Sequence, residues 1–160
     1  MIHSIYSRIS MNIKVDQHDR KILALLQQDA RASHAEIGRR VHLSQPAVSE
    51  RIKRLEAQGV IAGYRAIVDP AKLGYTIDAV IRIRAQAGRP YEAFAKARPE
   101  IVECHTVTGD DCAVLRVLAT DVLHLQRIIE ELNAFGSTSS AIVLSTQVSH
   151  KPISPAQLDE

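Results

Sequence analysis

The side chains best suited to chemistry fall in one run, Ser44-Gln45-Pro46-Ala47-Val48-Ser49-Glu50-Arg51-Ile52-Lys53-Arg54-Leu55-Glu56. The chemistry is recognition rather than bond breaking. Val48, Ile52 and Leu55 recur at i, i+4 and i+7 and form an apolar stripe along a helix. Gln45, Ser49, Glu50, Lys53 and Arg54 fall on the faces away from it. Ser44 is a good N-cap, because its hydroxyl can accept from a free backbone N–H of the first turn. Pro46 sits where a missing N–H costs nothing, and Gly59 follows at a stop position. Amides, hydroxyls and cations on the outside of a capped helix suit a DNA major groove, where polar groups meet base edges and cations meet phosphates.

The residues before this run supply what would hold it in place. Asp16 to about Gln28 reads as a helix capped by Asp16, with Ile22, Leu25 and Leu26 inward. Ser33-His34-Ala35-Glu36 fits a capping box, with Ser33 capping forward and Glu36 reaching back. The helix it opens runs to about Val41, and His42-Leu43 turns into Ser44. Three helices in this order make a helix-turn-helix whose last helix enters the groove. Charge agrees with that placement. Residues 1–64 hold ten Lys/Arg against six Asp/Glu, residues 65–160 ten against twelve, and residues 31–54 six against two. Positive charge is concentrated where phosphates would be met.

Composition excludes several other classes. With 160 residues, 46% hydrophobic and 24% charged, the chain is expected to form one ordinary domain or two small ones in a soluble protein. Aromatic residues are 4% and Trp is absent, which argues against stacking platforms for bases. Cys104 and Cys112 do not make a disulfide framework. No apolar run approaches the roughly 18 residues a membrane span needs, and no signal-peptide pattern opens the chain. A cytoplasmic protein is expected.

The second half alternates. Val60 to Asp69 is rich in β-formers and reads as a linker strand, punctuated by Pro70 and Gly74. Ile77, Ala79, Ile81 and Ile83 share one strand face. Gly88-Arg89-Pro90 turns into a short helix from Tyr91 to Arg98. Strands follow at 101–108 and 112–119, joined by Gly109-Asp110-Asp111. Asp121 caps a helix with Val122, Leu125, Ile128, Ile129 and Leu132 inward, and Gly136 stops it. The last strand is placed at 141–148, with Ile142, Leu144 and Val148 inward. The order βαββαβ is the ferredoxin-like split unit. The fold class is therefore α+β: a helix-turn-helix domain, then a ferredoxin-like domain of the RAM/ACT-like kind. Expected boundaries are an arm at 1–15, the helix-turn-helix at 16–62, a linker at 63–75, the ferredoxin-like domain at 76–150 and a tail at 151–160. The sheet face without helices holds apolar groups such as Val107 and Val114, which predicts self-association.

The chain resembles the Lrp/AsnC, or feast/famine, transcriptional regulators along nearly all of 14–148. The resemblance rests on Asp19-Arg20-Lys21-Ile22-Leu23, Ile37-Gly38, the run Leu43 to Glu56 and Gly59-Val60-Ile61. It continues in Thr108-Gly109-Asp110 and Ile142-Val143-Leu144. It implies sequence-specific binding of double-stranded DNA, an effector that is an amino acid, homodimers formed through the C-terminal domain, and octamers built from them. It implies no cofactor. Carried over, base-edge contact falls to Gln45 and Ser49, with Pro46 on a thymine methyl beside the Ser44 cap. Phosphate contact falls to Arg51, Lys53 and Arg54, and less strongly to Arg39 and Arg40. Arg51 has a structural alternative, pairing with Glu56 or Glu36. Effector residues map to Gly109, Asp110, Asp111 and Cys112, and to Thr138 and Ser140. Two departures fall there. Asp111 and Cys112 stand where the family has an aromatic and a second acid, and Gly136 to Ser140 is shorter than the family's run. A carboxylate would suit backbone N–H groups near Gly109, and an ammonium would suit Asp110 or Asp111. Gly109-Asp110-Asp111 has a plain reading as a hairpin turn.

Three rival readings stand beside this one. A metal- or redox-responsive regulator would use Cys104, His105, Asp110, Asp111 and Cys112. With the turn at 109–111, however, the cysteines stand about 13 Å apart, and no metal-ligand spacing is present. A sirohaem-decarboxylase-like enzyme shares the two-domain plan, but no catalytic grouping is legible and no catalytic residue is assigned. A DNA-compacting protein of the same fold would bind with weak sequence preference.

Overall fold

The computed structural model describes residues 14–86 and 90–154. The expected arm up to residue 13 and the Gly88-Arg89 part of the first turn lie outside them. Contacts divide the described residues into two units, 14–66 with 148–154, and the described part of 67–147. Among the described residues, no helix is long and apolar enough to cross a membrane.

The first unit holds α1 (Gln17–Gln28), α2 (His34–Val41) and α3 (Gln45–Ala57). Ile22, Ile37, Val41, Val48 and Ile52 form its core, with Leu25, Leu26 and Ile61 packed at the edge. The reciprocal capping box lies at α1, not α2. Asp16 accepts the N–H of Asp19 at 2.9 Å, and Asp19 accepts that of Asp16 at 3.1 Å. At α2, Ser33 accepts the N–H of Glu36, but the Glu36 carboxylate turns to Arg40 instead of reaching back. An i,i+4 cation on the same face competes for it. A Cβ on Gly38 would stand 2.5 Å from the Leu43 carbonyl oxygen, so this position needs glycine for the turn to fold tightly onto α2.

The end of the chain returns to this unit. The Gln27 side chain accepts the N–H of Ile153 at 2.9 Å and donates to its carbonyl at 3.0 Å. Residues 148–154 thus group with the helices and not with the sheet.

The second unit runs β1 (Ile77–Ala85), α4 (Glu92–Ala97), β2 (Ile101–Thr106), β3 (Ala113–Ala119), α5 (Val122–Leu132) and β4 (Gly136–Ile142). The sheet is antiparallel in the order β2-β3-β1-β4. Ile81, Ile83, Leu115 and Val117 pack against Leu125, Ile128 and Leu132 of α5 and Ala95 of α4. Asp121 caps α5 by accepting the His124 N–H at 2.8 Å.

Several expectations fail here. Residues 60–69 form no strand, and Tyr64, Ile67 and Val68 are exposed; β-propensity without a ladder partner does not make a strand. Val122 is exposed in the first turn of α5 rather than inward. The last strand begins five residues early. Gly136 lies inside it, and a Cβ there would meet the Arg84 carbonyl oxygen at 2.2 Å. Ile142, Leu144 and Val148 are exposed. The strand's polar residues are tolerated because β4 is an edge strand, half in water. The helix-free face differs too. Arg116 spans it, pairing with Asp78 at 2.7 Å and Glu103 at 3.3 Å. Val80 and Val114 lie half-buried among these charges, while Val107 lines a cleft instead.

Candidate nucleic-acid interface and effector cleft

Helix α3 is held by its own cap and stripe. The Ser44 hydroxyl accepts the Ala47 N–H at 3.4 Å, and Val48, Ile52 and Leu55 are buried. Gln45, Pro46, Glu50 and Lys53 are exposed along the opposite side, with Ser49 half-buried at its flank. Ser49 and Lys53 also form one wall of a cleft of about 300 Å³ shared with His34, Glu56 and Tyr64.

The arginines of α3 behave differently. Arg51 donates to Asp16 at 2.6 Å and to Asp19 at 2.8 Å, and Arg54 donates to Asp19 at 2.6 Å. Asp19 is 0% exposed. A buried carboxylate is tolerated only when its lone pairs are taken by charged or N–H donors, and here all come from Asp16 and the two arginines. The same contacts hold the Asp16 carboxyl down at about 2, chiefly through the Asp19 N–H and then through Arg51. They push the Arg51 guanidinium above its ordinary value, Asp16 first and Asp19 second. Arg51 and Arg54 therefore clamp α3 to α1, with Arg54 still 43% exposed. Neither expected partner of Arg51 is used: Glu36 takes Arg40 at 3.2 Å, and Glu56 accepts from the Tyr64 hydroxyl at 3.0 Å. Asp19 was missed as a functional residue. The signal lies in two i,i+3 pairs, Asp16/Asp19 and Arg51/Arg54; the sequence reading takes Asp16 as a cap and both arginines as phosphate contacts. Among the described residues, Lys53 and Arg39 carry no ion pair.

In the second unit a cleft of about 750 Å³ opens between the start of α4 and the turn after β2. Tyr91, Glu92, Thr106, Thr108, Gly109, Asp111 and Cys112 line it. The Tyr91 hydroxyl donates to the Cys112 carbonyl at 3.3 Å and tethers the helix start to the turn. Of the expected effector residues, Gly109, Asp111 and Cys112 come together here. Asp110 turns away to Arg84, which donates to its carbonyl at 3.2 Å and stands 3.7 Å from its carboxylate. Thr138 and Ser140 are on β4, across β1 from this turn and opposite Ile83 and Ile81. The Thr138 hydroxyl donates to Asn133. Two strand spacings, about 10 Å, separate β4 from β3, so neither residue lines the cleft. Sequence reading missed Tyr91 and Glu92, which reach the site from another element. Among the described residues, no group of three or more His, Cys, Asp or Glu could hold a metal ion.

Both halves match known families. The AsnC-type helix-turn-helix domain matches residues 15–56, and the Lrp/AsnC ligand binding domain matches residues 78–153. The HTH-type transcriptional regulator Rv2324 of Mycobacterium tuberculosis is 37% identical over 145 residues, 87% of this chain and 98% of that protein. The chain belongs to the Lrp/AsnC family of transcriptional regulators. Solved members of the Lrp/AsnC family share its fold. Bacillus subtilis LrpC superposes with a TM-score of 0.81 at 27% identity, covering 86% of this chain and 99% of that one. The feast or famine regulatory protein Rv3291c of M. tuberculosis, complexed with L-methionine, gives 0.79 at 30% identity, covering 89% and 100%. The chain is thus an Lrp/AsnC-type DNA-binding regulator, with α3 inside the matched helix-turn-helix segment and the large cleft inside the matched ligand-binding domain.

Proposed function

We propose that this regulator reads a roughly palindromic operator by inserting α3 of each protomer into the major groove. Gln45 and Ser49 meet base edges, Pro46 packs on a thymine methyl, and Ser44 fixes the helix start. Lys53 holds phosphate, with Arg39 and the exposed Arg40 beside it. The observation that carries this reading is the division of labour on α3: Gln45, Pro46 and Lys53 exposed on one side, Arg51 and Arg54 committed inward on the other. Footprinting and a salt titration test it. Gln45→Ala should lose discrimination, about 1–3 kcal/mol between cognate and scrambled DNA. Lys53→Ala should weaken both equally and flatten the salt slope by about one. Equal losses on both DNAs for Gln45→Ala would overturn its role.

The effector in this reading is an amino acid held in the large cleft by Gly109, Asp111 and Cys112. Its support is the matched ligand-binding domain and the structural likeness to Rv3291c, whose solved structure is a complex with L-methionine. Two protomers pair through the helix-free sheet face, and dimers assemble further into octamers in the cytoplasm. Regulation, and not an enzyme activity such as that of sirohaem decarboxylases, is favoured by the relatives' names as transcriptional regulators.

A further inference from the structure

The smaller cleft, about 300 Å³, lies within the helical unit and borders α3. Its lining has two characters. Leu26 at the end of α1, Ala30 and Ala32 of the following loop, and Ile52 of α3 make it apolar on one side. His34, the first residue of α2, joins Ser49 and Lys53 of α3 to supply N–H and O–H donors. Arg31 stands in the chain between two lining residues, Ala30 and Ala32. Among the described residues, the side chains of Arg31, His34 and Lys53 have no hydrogen-bond or ion-pair partner. The two acids nearby already accept donors. Asp29 accepts the Arg31 N–H at 2.8 Å, and Glu56 accepts from the Tyr64 hydroxyl at 3.0 Å. Burial first, and Glu56 second, push the Tyr64 hydroxyl up, so it stays a donor to that carboxylate.

An occupant that uses this whole lining needs an anion beside an apolar ring. A free anion would leave the apolar side wet, and an apolar ligand would leave three donor side chains unpaired. The DNA backbone carries both parts, a phosphate next to a deoxyribose. Ser49 and Lys53 also tie the cleft to the face of α3 that reads the groove. We propose that the cleft seats one sugar–phosphate unit of the operator, with His34 joining Lys53 on the phosphate and Leu26, Ala30 and Ala32 against the deoxyribose. This rests on the reading of α3 as the groove helix and adds a contact made from outside that helix. Backbone contacts of this kind fix register and orientation without reading sequence. Arg31 adds charge at the rim. Tyr64 is a positioning residue: by donating to Glu56 it keeps that carboxylate from repelling the phosphate.

The test uses the full chain and a double-stranded site that it selects from random DNA, read by ethylation interference and by titrations over salt. Wild type should show a phosphate in each half-site whose ethylation blocks binding, and His34→Ala should lose that interference. His34→Ala should weaken selected and scrambled DNA alike, by about tenfold, and His34→Gln, which keeps an N–H donor, should recover most of the loss. Arg31→Ala should flatten the salt slope by about one. Ala30 is exposed, so Ala30→Glu leaves the core intact and should weaken both DNAs by repulsion. Tyr64→Phe should weaken binding, and adding Glu56→Gln to it should restore binding. An ethylation pattern unchanged in His34→Ala would overturn the phosphate contact. Wild-type affinity in both His34→Ala and Ala30→Glu, with Lys53→Ala weakened, would overturn the cleft as a backbone seat and leave the groove helix standing. Wild-type affinity in Lys53→Ala as well would overturn the groove helix itself.

Discussion

Replacing Asp19 by Asn separates the clamp from the alternative in which α3's arginines serve DNA. The substitution keeps the shape and removes the charge that two guanidiniums share at 2.8 and 2.6 Å. A hydrogen bond to a charged group contributes about 1.5–3 kcal/mol. Arg51 is mostly buried, so its bond counts nearly in full. Arg54 is 43% exposed and can return to water, so its bond is discounted heavily. The loss is then roughly 2–4 kcal/mol, below the full cost of orphaning a wholly buried pair. Against a total of about 5–15 kcal/mol, that moves a urea midpoint clearly. Because the chain has two units, unfolding should be followed by near-ultraviolet signals and by hydrogen exchange of α1 and α3 amides. The helical unit should destabilise and the sheet unit should not. Arg51→Met gives the complementary readout: stability falls, yet the salt slope of DNA binding in the variant that stays folded is unchanged. A stability change under about 0.5 kcal/mol for Asp19→Asn would refute the clamp. So would a salt slope in Arg51→Met flattened by one.

Other perturbations probe other parts. Val80→Asp adds a charge to the helix-free face beside the Asp78–Arg116 pair and should break the proposed dimer into monomers in sedimentation; unchanged mass would exclude that face as the interface. Gly136→Ala places a methyl group 2.2 Å from the Arg84 carbonyl and should cost about 1–3 kcal/mol by forcing β4 off β1, which denaturant unfolding of the sheet unit measures. Acid provides a fourth. The folded Asp16 carboxyl titrates at about 2 against an ordinary 3.8, so its folded value lies below its unfolded one. Its contribution is full above about pH 4 and disappears as pH falls toward 2. The stability gap between wild type and Asp16→Asn should therefore close across that window; a constant gap would contradict it.

What could be read from the sequence was what is decided locally. Ser44, Pro46 and the Val48, Ile52, Leu55 stripe specify α3 inside the single stretch 44–55, through a cap and a helical period. Ile81, Ile83, Leu115 and Val117 alternate, and the sheet buries them as their period requires. The misses are non-local. Asp19 meets Arg51 and Arg54 across more than thirty residues, and no short window holds both sides of that pairing. Ser137 to Ser140 has the composition of a loop. What makes it a strand is β1 alongside, and the apolar alternation of Ile142 and Leu144 drew the expected strand past its true end. In the large cleft, the turn contributes Gly109, Asp111 and Cys112, neighbours in sequence. Glu92 came from α4, which only folding brings there.

The bond pair between Gln27 and Ile153 has a consequence for dissection. The helical unit is discontinuous in sequence, so a fragment ending near residue 66 leaves the Gln27 amide on α1 without the backbone of Ile153 that it both donates to and accepts from; trimming the tail is felt at the first helix.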